Sequence, residues 1–167
     1  MDDIRIYAPC QRIIDRFKDN LSESFAITSE PDALYLGMHI DHRSNTTTIH
    51  QSEYVQRVLE RYELTNLPTA STPCDHRVKL AKDKDATPSP HFQKAYLQKF
   101  GSLNYLPAMT RVDLAYAASL YGRFNSRPTQ SHLDGITQAY AYINGTPQVG
   151  ITYTKQEPSL HGYVDAD

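Results

Sequence analysis

Residues 65–90 constrain this chain more than any other stretch. They show no hydrophobic periodicity and contain Pro68, Pro73, Pro88 and Pro90, with the mixed-charge run Lys82-Asp83-Lys84-Asp85. Proline removes a backbone donor and fixes φ, so no unbroken helix or central strand can pass through them. They are predicted to be a tether or an extended crossing segment joining two differently patterned parts.

The part before this segment is mixed. Residues 4–8 alternate weakly and read as a short strand. Residues 10–21 read as an amphipathic helix, with Ile13, Ile14, Phe17 and Leu21 on one face. Leu34, Leu36, Met38 and Ile40 repeat with period two, Arg43-Ser44-Asn45 makes a turn, and Thr46 to His50 is threonine-rich. Residues 34–50 are therefore predicted to be a β-hairpin. Ser52 is positioned to cap a helix over about 53–63, whose buried stripe is Tyr54, Val55, Val58, Leu59 and Tyr62.

The part after it is mainly helical. Stripes run from Phe92 to Leu106, from Val112 to Phe124 and from Thr129 to Asn144, the last stopped by Asn144-Gly145. Val149, Ile151 and Tyr153 alternate as a strand, with Leu160 to Asp165 predicted as its antiparallel partner. The expected fold class is α+β.

Several motifs lie along this order. Asp2-Asp3-Ile4, Leu34-Tyr35-Leu36-Gly37-Met38-His39-Ile40, Gln51-Ser52-Glu53-Tyr54 and Thr72-Pro73-Cys74 come first. Gly101-Ser102-Leu103-Asn104-Tyr105-Leu106, Thr110-Arg111-Val112-Asp113-Leu114, Pro128 with His132, Tyr142-Ile143-Asn144-Gly145-Thr146 and Gly162-Tyr163-Val164-Asp165 follow. Together, and in this order, they resemble the copia-type reverse transcriptase of LTR retrotransposons over nearly the whole chain. Val112 stands where that family has a proline, and the stretch before Leu34 lacks its glycine.

The resemblance implies four parts. Residues 1–50 would be a palm remnant with a primer-grip-like hairpin, and 51–90 a thumb-like helix with a proline-rich tether. Residues 91–147 would be a helical connection, and 148–167 the start of a ribonuclease H-like domain. It implies RNA-directed DNA polymerisation within a Pol polyprotein. By resemblance Asp2 and Asp3 are the second acidic segment of the palm, and Asp165 is the first carboxylate of ribonuclease H. Asp2 and Asp165 would then be ligands of Mg2+, which takes oxygen ligands in octahedral geometry. Because further carboxylates of both sites would lie outside this chain, it is expected to bind Mg2+ weakly and to be inactive alone. The implied partners are an RNA template and DNA primer, or their RNA–DNA hybrid, and the rest of the polyprotein. A second reading is a nucleic-acid-binding module without catalysis.

The net charge of −2 gives no global basic footprint, so any nucleic-acid surface must be local. Arg57, Arg61, Lys94 and Lys99 are the candidate phosphate contacts, although helical basic residues are ordinarily solvated faces. His39, Asp41 and His42 are close in sequence, but alternation turns His42 away from the other two. His132 reads as a capping or packing residue. Cys10 and Cys74 are far apart, which fits a reducing compartment and argues against a cysteine zinc site. No run approaches a membrane span, so an intracellular location is expected, in cytoplasm or nucleus. There is no P-loop, dinucleotide fingerprint or G-x-S-x-G elbow.

Overall fold

A computed structural model describes residues 4–29 and 34–155. The order is α1 (Gln11–Ser22), β1 (His39–His42), β2 (Thr46–His50), α2 (Ser52–Arg61), α3 (Pro90–Met109), α4 (Ala115–Gly122), α5 (Gln130–Gly145) and β3 (Gly150–Thr154). A 3-10 turn, Val112–Leu114, leads into α4.

One core lies among the helices. Val55, Val58 and Leu59 of α2 meet Tyr96, Leu103 and Leu106 of α3, Ala117 and Tyr121 of α4, and Ile136, Tyr140 and Ile143 of α5. Alanines on α4 and α5 let these backbones approach closely, because a methyl side chain adds little thickness at a helix contact. Residues 65–89 run along this core through a series of turns and bends rather than hanging free. Asn144 Nδ2 donates to the carbonyls of Thr65 and Leu67, Ala70 N–H donates to Ala141 O, and Gln138 Nε2 donates to Thr72 O. Leu67, Cys74 and Leu80 pack against the core from this segment.

Tyrosine hydroxyls lace the elements together. Tyr54 donates to Ser102 O at 3.1 Å, Tyr62 to Gln98 O at 2.9 Å, Tyr140 to Lys99 O at 2.8 Å and Tyr96 to Tyr121 O at 2.8 Å. Each ring supplies apolar area while its hydroxyl finds a main-chain acceptor, as burial of a phenol demands. Burial pushes the Tyr96 hydroxyl up to about 12, so it stays a donor at any ordinary pH.

The sheet departs from expectation in three ways. First, the hairpin is shorter than 34–50. Tyr35 and Met38 exchange both backbone hydrogen bonds at 3.0 Å around Leu36 and Gly37, whose φ values are 51° and 75°. A two-residue turn with both central residues left-handed ends the alternation before β1 begins. Second, residues 4–8 are not a strand. Third, β3 pairs antiparallel with β2, with Thr48 opposite Thr152 and His50 opposite Gly150, to give the order β1-β2-β3. The predicted partner strand, Leu160 to Asp165, lies outside the described residues. Gly150 suits this pairing, since a Cβ there would collide with Ile49 O.

Smaller differences have local causes. Ser52 is the first residue of α2, and the capping position is Gln51, whose side chain points elsewhere. α3 continues through Pro107 to Met109, because a proline in the last turn costs one hydrogen bond only, and Thr110 and Arg111 N–H both close on Leu106 O. α5 includes Gly145 and is capped by Thr146. The Val112–Phe124 stretch is split between the 3-10 turn and α4.

His132 both caps and packs. Its Nδ1 accepts the Thr129 N–H at 3.0 Å, so Nε2 carries the proton and donates to Ala81 O at 3.0 Å. The ring stacks on Phe124 with centroids 3.8 Å apart.

Gly37→Ala forces a Cβ into the left-handed region and is expected to cost about 1 kcal/mol, read from urea unfolding. Desolvation holds the His132 imidazolium below its ordinary value, against the opposing pull of the Ala81 carbonyl. The unfolded chain then takes up the proton first as pH falls through about 6.5. This share of stability is complete above that pH and is lost as pH drops through the folded value. His132→Gln retains a capping side chain and removes the titration. Its unfolding free energy should fall less steeply between pH 7 and pH 5 than that of the parent chain.

Candidate nucleic-acid interface

Two consecutive residues position the sheet. Thr110 Oγ1 donates to Gln51 Oε1 at 2.9 Å, and Gln51, which is buried, directly follows β2. Arg111 is 1% exposed and reaches the other way. Its Nη1 donates to Thr146 O and its Nη2 to Thr146 Oγ1, both at 2.8 Å, just ahead of β3. Thus the end of α3 holds the exit of β2 and the approach to β3 at one place, and the two strands pair.

The Arg111 charge is matched by Asp113. Nε donates to Oδ1 at 3.0 Å and Nη2 to Oδ2 at 2.8 Å, a bidentate pair. The Tyr142 hydroxyl adds a third donor to Oδ2 at 2.9 Å, and its ring lies 5.6 Å from the guanidinium. Burial alone would raise the Asp113 carboxyl, but the Arg111 hydrogen bonds and charge, with Tyr142, outweigh it and hold it below the usual range. Gln51 Nε2 is buried with no hydrogen-bond partner among the described residues.

The sheet so placed has one polar face. Alternation puts His39 and Asp41 of β1, Thr46, Thr48 and His50 of β2, and Thr152 and Thr154 of β3 on it. His42 points to the opposite face, as the sequence predicts. Thr48 and Thr152 share a hydrogen bond at 3.0 Å. His50 Nδ1 accepts the Ser52 N–H at 3.4 Å, so Nε2 donates to Asp41 Oδ2 at 3.1 Å. His39 stacks on His50 with centroids 5.0 Å apart, and its Nε2 lies 3.6 Å from Glu53 Oε2. Asp41, Thr48, His50 and Thr152 line an open cleft of about 580 Å³, joined by Arg43 and Gln148.

Of the residues singled out from sequence, Arg57 and Arg61 lie one turn apart on the exposed side of α2, and Lys94 is exposed on α3. Lys99 is half-buried, with Nζ 5.7 Å from the Tyr62 ring. None of the four lines the sheet cleft. Asp2, Asp3 and Asp165 lie outside the described residues. Among the described residues no group of three His, Cys, Asp or Glu side chains converges to hold a metal ion. Among them, too, no helix is long and apolar enough to cross a membrane.

Sequence reasoning missed the His39–His50 pair and the contribution of β3. The first had a signal: with Ser44-Asn45 as a two-residue loop, His39 falls directly opposite His50. The second had none, because strands 46–50 and 150–154 are separated by four helices.

No family profile and no solved structure matches the chain. Its whole length is 31% identical to the "Retrovirus-related Pol polyprotein from transposon TNT 1-94" of Nicotiana tabacum, covering 13% of that protein. It is likewise 31% identical, over its whole length, to the transposon RE1 Pol polyprotein of Arabidopsis thaliana, covering 11% of it. The chain aligns over its whole length with a segment of each of these transposon Pol polyproteins. It spans about a tenth of the length of these curated relatives. A shorter relative, the "Putative transposon Ty5-1 protein YCL074W" of Saccharomyces cerevisiae, is 26% identical and 54% covered.

In this chain, Arg111 should be the most sensitive buried position. Arg111→Gln leaves the Asp113 carboxylate half-matched and is expected to destabilise by about 3 kcal/mol, the low end for a broken buried pair because Asp113 is partly exposed. The double variant Arg111→Gln/Asp113→Asn should recover part of that loss in urea unfolding, since no lone charge remains.

Proposed function

We propose that this chain holds primer and template in a copia-type reverse transcriptase, as the end of the palm, the thumb and the connection leading to ribonuclease H. The observation that carries the reading is relatedness to transposon Pol polyproteins along the entire chain, with the resembling motifs in order. Two features of the fold support it. The hairpin that resembles a primer grip is pinned to the helices through Gln51 and Thr110. The residues carrying the resemblance at Thr110 to Asp113 and Tyr142 to Thr146 meet in one network.

Holding would rest on phosphate contacts, which position a duplex without reading its sequence. Arg57 and Arg61 on α2, with Lys94 and Lys99 on α3, are the proposed contacts. The Mg2+ ions that the resemblance implies would be held by Asp2 and Asp165, and the role proposed for the described residues is confined to holding nucleic acid.

The reading is tested by fluorescence anisotropy with a labelled RNA–DNA hybrid at increasing salt. Binding should weaken linearly on a log–log plot. Arg57→Gln, Arg61→Gln and Lys99→Gln should each reduce affinity, and each should lower the slope by about one as one phosphate goes unneutralised. Absence of binding at low salt overturns the proposal.

A further inference from the structure

The polar face of the sheet carries a combination of groups that a phosphate site alone does not explain. Among the described residues, the cleft across β1, β2 and β3 has one carboxylate, Asp41 of β1, and one guanidinium, Arg43, which follows β1 two residues on. That spacing is about 6.5 Å along an extended chain. Thr48, Thr152 and Gln148 beside them are neutral hydrogen-bonding side chains.

Asp41 is the informative member. Its side chain is 57% exposed, and His50 Nε2–H anchors Oδ2 at 3.1 Å. The His50 ring is itself fixed by Ser52 N–H on one nitrogen and by the stacked His39 ring. A carboxylate has about four acceptor sites, so an oriented one beside open space presents acceptors that a ligand hydroxyl fits in place of solvent. A bare phosphodiester fits Arg43 and the threonines but is repelled by Asp41. A deoxyribose next to a phosphate offers the carboxylate no donor of its own. A ribonucleotide unit offers both, its phosphate to Arg43 and its 2′-hydroxyl to Asp41.

We propose that this face is a cradle for a ribonucleotide unit of an RNA strand, in which Asp41 accepts the 2′-hydroxyl while Arg43 meets an adjacent phosphate. The 2′-hydroxyl is the group by which a protein separates RNA from DNA. The inference rests on the nucleic-acid-holding reading for the polymer, and it adds which strand this face takes and by which atoms. β3 is part of the cradle through Thr152, whose hydroxyl is aligned by Thr48.

The test is anisotropy of the full chain with three labelled single strands of one sequence: RNA, DNA and 2′-O-methyl RNA. The methylated strand keeps RNA-like sugar geometry and removes only the donor. RNA should bind about tenfold more tightly than either of the others, the scale of one hydrogen bond to a charged group. Asp41→Asn keeps the shape and an acceptor for His50, and it should bring RNA down to the level of DNA without weakening DNA. Arg43→Gln should weaken all three strands and reduce their salt dependence.

Equal binding of RNA and 2′-O-methyl RNA overturns the inference, as does a ribose preference that survives in Asp41→Asn. Salt-dependent binding of all three strands with equal affinity overturns it while leaving the holding function intact. Absence of binding by any strand or hybrid overturns both. Adenosine monophosphate competing as well as RNA, per nucleotide, would make the ligand a free nucleotide and would also overturn the assignment to a strand. Unfolding curves of both variants should match the parent chain, because Asp41 and Arg43 are on the solvent side of the sheet.

Discussion

The clasp at the end of α3 is the contact on which the rest of the molecule depends. Thr110 and Arg111 are neighbours in sequence, yet one grips Gln51 at the exit of β2 and the other grips Thr146 before β3. Two strands separated by about a hundred residues become sheet neighbours because both of their flanks are tied to one dipeptide. The guanidinium suits this task. It offers five donors in a rigid plane, and here four hydrogen bonds of 3.0 Å or less run to Asp113 and Thr146. A lysine would bring the charge without the fork.

A second device keeps the helices in register with that clasp. Tyr54, Tyr62, Tyr96, Tyr105 and Tyr140 send hydroxyls to main-chain carbonyls on other elements. The Tyr105 hydroxyl reaches Leu36 O at 3.2 Å and so ties the left-handed turn before β1 to α3. A core made this way is apolar in its interior but polar in its seams. Each seam contact has a defined geometry, so helices cannot slide past one another without leaving a buried donor unpaired. The segment 65–89 uses the same logic in reverse, offering its carbonyls to Asn144, Gln138 and Tyr121.

Much of the helical part was legible because an amphipathic stripe is a local signal. The α2 stripe places Val55, Val58 and Leu59 in the core, and the α5 stripe does the same for Ile136, Tyr140 and Ile143. The departures fall where local preference met a tertiary demand. Leu36 alternates correctly with its neighbours for a strand, yet it takes φ 51° because the chain turns there and Tyr105 holds its carbonyl. Of the site, His39, Asp41 and the outward turn of His42 could be read from alternation. Arg43, Gln148 and Thr152 could not, since their shared cleft exists only once β3 has docked on β2.

By itself, the sequence determined the helices, the position of the hairpin, the proline-rich segment and the relationship to transposon Pol polyproteins. These rest on short-range periodicity, on turn chemistry and on the order of motifs, all of which are properties of a linear string. Only the tertiary structure decided that β3 completes the β1-β2 sheet and that a carboxylate and a guanidinium share its cleft. The physical reason is the same in both cases. Strand pairing and buried ion-pair networks are chosen by which distant groups satisfy one another, and residues such as Arg111 and Thr146 carry no local trace of that choice.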